Sequence, residues 1–316
     1  MYNEPKFFLY AVGIFTCYFF FGILQERITR GKYGEGESEE KFTYTLALVF
    51  FQCIINYLYA KIMLKFVFKQ GEDTTRNVYY ASSSMTYLLA MITSNMALQW
   101  VNYPTQVVGK SCKPIPVMVL GFLFGRKSYP IQKLMFVLII VIGVAMFMFK
   151  DSEAAKSTEP AGLGMGELML IISLTMDGLT GAVQERMKSE HQTRSGHMMS
   201  NMNLWSVGYL AVALLLTGEI VDFAEFVAKY PYVLWEMLVF SIASAFGQFF
   251  IFLMVTEYGP LPCSIVTTTR KFFTVLASVL FFGNSLLNRQ WVGTILVFTG
   301  LTLDSIYGKS SVKKPE

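Results

Sequence analysis

The chain has 316 residues, of which 53% are hydrophobic, 16% aromatic and 15% charged, against roughly 25% charge in an ordinary soluble domain. A formal net charge of only +4 speaks against a strongly basic nucleic-acid binder and requires any positive field to be local. The composition is that of a membrane protein, and the question becomes where its 26 Lys and Arg residues sit.

A helix needs about 20 mostly apolar residues to cross a bilayer. In chain order the sequence holds ten such runs, at about residues 7–25, 43–66, 77–98, 104–124, 130–149, 164–185, 197–217, 233–256, 260–283 and 288–307. The stretch "MYNEPKFFLY" before the first run lacks the small-residue cleavage site of a signal peptide, so that run is expected to be a retained span. Near the end of the second run, Lys61, Lys65 and Lys69 are expected to snorkel toward an interface. The runs at 77–98 and 197–217 are rich in Ser, Asn and Met and are expected to face protein or water rather than lipid. Counted by loop, thirteen Lys and Arg lie on the side of the N-terminus and eight opposite, which places both termini in the cytosol by the positive-inside rule. Cys17, Cys53, Cys112 and Cys263 all fall in apolar runs with no Cys/His cluster of metal-ligand spacing, so free thiols, no metal and no cofactor are expected.

An internal echo organises the runs. "GILQER" (22–27) ends the first and "GAVQER" (181–186) ends the sixth, 159 residues later. At an offset of 158, Lys113 of "GKSCKP" falls on Lys271 of "TTRKFF", and Gly125 falls on Gly283. The expected fold is therefore all-α, ten transmembrane helices in two five-helix repeats: residues 1–160, residues 161–307, and a tail at 308–316. Five is odd, so the second repeat enters the membrane from the opposite side, and inverted repeats are the usual build of alternating-access transporters.

The chemistry sits in the fourth and ninth runs. Lys110 and Lys113, at i and i+3, share a helix face within "VVGKSCKPIPVM", and "TTTRKFF" supplies Arg270 and Lys271. Each intramembrane cation costs about 2.5–3.5 kcal/mol when left facing lipid, so the four together would cost on the order of 10–14 kcal/mol. They must line a wet cavity or meet anions. Four cations, one of them an Arg able to bind two oxygens at once, suit a polyanion, and phosphate groups are the obvious candidate. Pro114 and Pro116 remove two backbone donors just after Lys113 and loosen the helix there, while Thr267, Thr268 and Thr269 offer hydroxyls in the second half.

Other polar positions carry weaker signals. Asp177 in "LTMDGLTG" and Gln248 in "FGQFFIF" read equally as cavity residues and as polar contacts holding helices together. Tyr103, before Pro104 in "VNYPTQ", reads first as a turn residue, and with the nearby Gln106 as a further candidate cavity position. Glu26, one acid of the echoed pair, is either a helix-end charge paired with Arg27 or the carboxylate that neutralises the cation cluster; Glu185 pairs equally well with Arg186.

The stretches "VNYPTQVVGKSCKPIPVM", "LTMDGLTG", "GQFFIF" and "TTTRKFF" resemble the solute carrier 35 nucleotide-sugar transporters, subfamily B, of the drug/metabolite transporter superfamily. The likeness runs from about Cys17 to the last span and is strongest to the subfamily's endoplasmic reticulum ATP/ADP exchanger. The resemblance implies a ten-helix inverted-repeat fold with cytosolic termini and, at matching positions, makes Lys110, Lys113, Arg270 and Lys271 the phosphate-coordinating group. It leaves the cargo open, because members move nucleotide sugars, adenylates and a sulfated nucleotide. Lys313 and Lys314, in the final "KKPE", match a dilysine retrieval signal read by coat proteins, which together with the resemblance points to the endoplasmic reticulum membrane.

Taken together, the expected function is antiport of cytosolic ATP against lumenal ADP. Exchange of a UDP-sugar for a nucleoside monophosphate is the nearest alternative, since charge complementarity only slightly favours the adenylates. A non-transporting membrane scaffold is the alternative of another class. An enzyme is not expected: an intramembrane transferase would need an acid cluster such as paired Asp residues for a metal-bound pyrophosphate, and Asp177 has no second Asp in its run.

Overall fold

The computed structural model describes residues 4–34, 40–67, 70–97, 100, 106, 109–110, 112–124, 129–148, 164–270 and 287–307. In chain order these form α1 (Glu4–Arg30), β1 (Lys32–Tyr33), β2 (Glu40–Lys41), α2 (Thr45–Phe66), α3 (Asn77–Ala97), α4 (Pro114–Leu123), α5 (Ile131–Met148), α6 (Met165–His191), α7 (Ser195–Thr217), α8 (Glu219–Lys229), α9 (Val233–Tyr258) and α10 (Asn288–Tyr307). Residues 260–270 are also helical. β1 and β2 make one short antiparallel ladder, Tyr33 opposite Glu40. Helix dominates because a chain in lipid must satisfy its backbone polar groups within each segment.

Among the described residues five helices are long and apolar enough to cross a membrane: α1, α2, α6, α7 and α9. The helices α3, α4, α5 and α10, and residues 260–270, fall in the other five apolar runs. α3 and α7 carry the polar residues noted above, and those side chains turn inward: Ser83, Ser84 and Ser94 of α3 and Ser200, Asn203 and Ser206 of α7 are all buried. Lys61 and Lys65 are exposed on α2, each with its ammonium near an aromatic ring, Tyr57 and Phe66 respectively, while Lys69 lies outside the described residues.

The chain divides into two compact units, Met1–Met85 with Met187–Tyr258, and Thr86–Arg186 with Gly259–Glu316. In the first, α1 and α9 approach closely at glycines. A Cβ on Gly13 would come within 2.6 Å of the Phe250 ring, and one on Gly247 within 2.8 Å of Tyr18. The same unit contains an element absent from the sequence reading, the 11-residue helix α8. Gly218, at φ +73°, ends α7 in the left-handed conformation that glycine adopts without strain and turns the chain directly into α8. Phe223, Phe226 and Tyr230 then pack with Tyr33, Phe42 and Tyr44 over Val233, Met237 and Phe240 of α9. Tyr33 is 2% exposed and donates its hydroxyl to the Ile28 carbonyl at 2.9 Å.

Still in the first unit, residues 70–76 are fastened to the start of α7. The Asp73 carboxylate accepts from the Thr75 backbone N–H at 3.0 Å, the Tyr80 hydroxyl at 2.9 Å and the Asn201 amide at 2.8 Å. Gln70 accepts from the Gly196 N–H at 3.0 Å.

The second unit is built on α4, α5, α10 and residues 260–270, whose buried side chains include Val117, Met118, Ile140, Val144, Leu261, Ile265 and Val297. α5 and α10 touch backbone to backbone: a Cβ on Gly143 would meet the Gly293 carbonyl at 2.8 Å, and one on Gly293 the Gly143 carbonyl at 2.7 Å. Small residues permit this close packing in membranes, where van der Waals contact rather than the hydrophobic effect drives helix association.

Candidate substrate-phosphate site

The two lysines of the fourth run are brought together by the way its helix breaks. Proline at 114 and 116 cannot donate to the ladder, and the backbone before α4 closes over three residues. Cys112 N–H bonds the Gly109 carbonyl at 3.0 Å, Lys113 N–H the Lys110 carbonyl at 3.3 Å, and Ile115 N–H the Cys112 carbonyl at 3.0 Å. In such a tight turn residues i and i+3 eclipse, which sets Lys110 and Lys113 one above the other.

Both ammonium groups converge on one carboxylate. Lys110 Nζ donates to Asp177 Oδ2 at 2.6 Å, and Lys113 Nζ lies 3.0 Å from Asp177 Oδ1. Lys110 also donates to Ser173 Oγ at 2.7 Å. Ser173 and Asp177, at i and i+4, share one face of α6, and the Ser173 hydroxyl donates its own proton to the Ala90 carbonyl, so toward Lys110 it acts as an acceptor. Glycine lets α6 come this close: a Cβ on Gly178 would lie 2.7 Å from the Pro116 carbonyl oxygen, and one on Gly181 3.0 Å from Val117. The carboxylate is sunk, its side chain 7% exposed, whereas those of Lys110 and Lys113 are 18% and 35% exposed. The arrangement is therefore a pair of cations whose combined charge one buried carboxylate halves.

Residues 260–270 pack beside it, with Leu261 and Ile265 in one cluster with Cys112, Ile115 and Val117. Arg270 is the last described residue of that stretch and is half-buried, and Lys271 lies outside the described residues. Thr268 is buried, and the Thr267 hydroxyl donates back to the Cys263 carbonyl at 3.0 Å, leaving its oxygen as an acceptor. Gln106 is buried, its amide bound to the Ser94 carbonyl at 2.7 Å and hydroxyl at 3.1 Å.

The chain as a whole has close relatives. The UAA transporter family matches residues 6–308. The chain belongs to the UAA transporter family. Solute carrier family 35 member B1 of Xenopus tropicalis is 55% identical over 96% of this chain and 94% of its own length. The rat protein of the same name is 54% identical over 96% of this chain and 94% of its own. The Drosophila melanogaster homolog is 51% identical over 99% and 95%. These names agree with the subfamily resemblance carried by the motifs, and the chain is a multi-pass membrane transporter.

Within this UAA transporter the remaining candidate positions separate. Gln248 lies in the first unit and accepts from the Asn203 amide at 2.8 Å, which ties α9 to α7. Arg27 pairs with Glu236 of α9 at 3.0 Å. Glu26 is a residue of α1 whose side chain lies outside the described set, as do Tyr103, Lys313 and Lys314 entirely. Both readings of Glu26, a helix-end charge and the carboxylate that neutralises the cations, therefore lie outside the described side chains, and among those described Asp177 pairs with Lys110 and Lys113. Ser173 and Gly178 were missed. The signal for both was present in the spacing, since Ser173 lies one helical turn before Asp177 and Gly178 immediately after it.

Proposed function

We propose that this UAA transporter exchanges cytosolic ATP for lumenal ADP across the endoplasmic reticulum membrane by alternating access. Lys110, Lys113, Arg270 and Lys271 hold the nucleotide phosphates, with Gln106, Thr267 and Thr268 as neighbouring polar groups. The fold in this reading is ten transmembrane helices in two inverted five-helix repeats, residues 1–160 and 161–307, with both termini cytosolic and a 308–316 tail whose Lys313 and Lys314 engage coat proteins. One observation carries the proposal: two ammonium groups from a broken apolar helix converge within hydrogen-bonding distance of a single carboxylate, a cation excess that an anionic substrate would complete. The likeness to proteins named solute carrier family 35 member B1 supports it.

The test is a thermal-shift panel on purified protein with ATP, ADP, UDP-galactose and UMP, followed by counterflow in liposomes. Stabilisation and exchange by the adenylates are expected. Response to UDP-galactose and UMP alone would replace the cargo assignment with nucleotide-sugar exchange, and response to none of the four would favour a scaffold.

A further inference from the structure

Asp177 has a consequence for how nucleotide binds. If Lys110 and Lys113 receive phosphate oxygens, those oxygens share the two ammonium groups, and their charge, with Asp177 Oδ2 and Oδ1, which lie at 2.6 and 3.0 Å. The carboxylate is the buried partner and the ammoniums are the more exposed ones, so an anion arriving at the lysines meets them on the side away from Asp177. Each ammonium has three N–H donors. Lys110 directs two of them to Asp177 and Ser173. Ser173 is held as a neutral acceptor by its bond to Ala90. Asp177 therefore supplies the negative charge among the described partners of this lysine pair, and it lowers the charge the pair presents from two to one.

We infer that Asp177 is a resident competitor of the substrate: its carboxylate shares Lys110 and Lys113 with the nucleotide phosphates, so that binding draws the ammoniums off Asp177 and release returns them to it. The inference rests on the phosphate-site reading above and deepens it. Two effects follow from one group. Without a carboxylate the lysines would be half-buried cations with no charge partner among the described residues, an unfavourable state. With it, nucleotide binds less tightly than two uncompensated lysines would hold it, and product leaves the site more readily. Asp177 is thus a positioning and affinity-setting residue rather than a direct ligand of the cargo.

The experiment is a charge cycle on the full-length protein in detergent and in liposomes, reading ADP affinity and exchange rate. Asp177→Asn is expected to tighten ADP binding about tenfold and to slow exchange, so that KM and maximal rate fall together. Lys110→Gln alone is expected to weaken binding about tenfold, and Lys110→Gln combined with Asp177→Asn, which removes one charge of each sign, to return to within about threefold of the wild type. The double variant also serves if Asp177→Asn by itself does not fold. Asp177→Glu, which keeps the charge, is expected to retain exchange. A folded Asp177→Asn that binds ADP more weakly, or a double variant that binds no better than Lys110→Gln, would show Asp177 to be a helix tie only, and the inference falls while the phosphate site stands. If Lys110→Gln and Lys113→Gln both leave ADP affinity unchanged, the phosphate site falls and takes the inference with it.

Discussion

Single side chains decide the site's geometry through contacts a fraction of a residue wide. Gly178 is the clearest: with the Pro116 carbonyl 2.7 Å from where a Cβ would sit, any larger residue must push α6 off α4. Gly178→Val is expected to destabilise by about 1–3 kcal/mol through overpacking. It should also tighten ADP binding, because pushing α6 away draws the competing Asp177 carboxylate off the lysines. Thermal melts with and without ADP read both effects. A variant with the wild-type melting temperature and affinity would show that the close approach is not needed. Tyr33 offers a second test away from the membrane. Burial first, then the neighbouring Glu236, push its hydroxyl from 10.0 up to about 12. A raised value in the folded state favours the protonated phenol, so its contribution is complete below pH 10 and is lost as pH rises toward 12. The wild type is therefore expected to lose more stability across that interval than Tyr33→Phe, measured by chemical denaturation at fixed pH.

At the level of elements, the two features outside the apolar runs have opposite origins. α8 is legible in the sequence: Phe223, Phe226 and Tyr230 recur at helical spacing, and Gly218 and Pro231 bracket the segment, but the run is too short for a search by bilayer length to select it. The strap of residues 70–76 was not legible, because an Asp in a polar loop has many possible partners. Only folding shows that Asp73 receives Tyr80, which is fully buried, and Asn201, which lies more than a hundred residues away. Removing a shared acceptor leaves buried donors unsatisfied, at about 1–3 kcal/mol. Asp73→Ala is accordingly expected to lower the melting temperature while leaving ADP affinity, measured on the folded protein, unchanged. An unchanged melt would show that the strap adds nothing to stability.

For the whole molecule the proposed antiport makes a strong demand. The four proposed cations, gathered in a low-dielectric interior, would repel one another, and an anion at the site would relieve that repulsion, so the carrier should change sides readily only when loaded. Liposomes preloaded with ADP are expected to take up ATP at least about tenfold faster than empty ones, a difference of about 1.4 kcal/mol in the barrier. Equal uptake would rule out obligate exchange. Asp177 modifies this picture without removing it, since one carboxylate offsets only one of the proposed cations.

What the sequence alone determined is the class of the protein and the positions of the cations inside its apolar runs. Bilayer thickness demands long apolar runs, and a charge inside such a run is costly enough to stand out, so Lys110 and Lys113 could be singled out without any coordinates. Tertiary structure decided which acid answers them. Asp177 lies 67 positions after Lys110, and a lone intramembrane carboxylate reads equally as ligand contact or helix tie until its neighbours are known. Asp177 meets both lysines because a proline-broken turn eclipses them and Gly178 admits α6 to contact distance, and helix approach of that kind depends on packing between segments that no local pattern encodes.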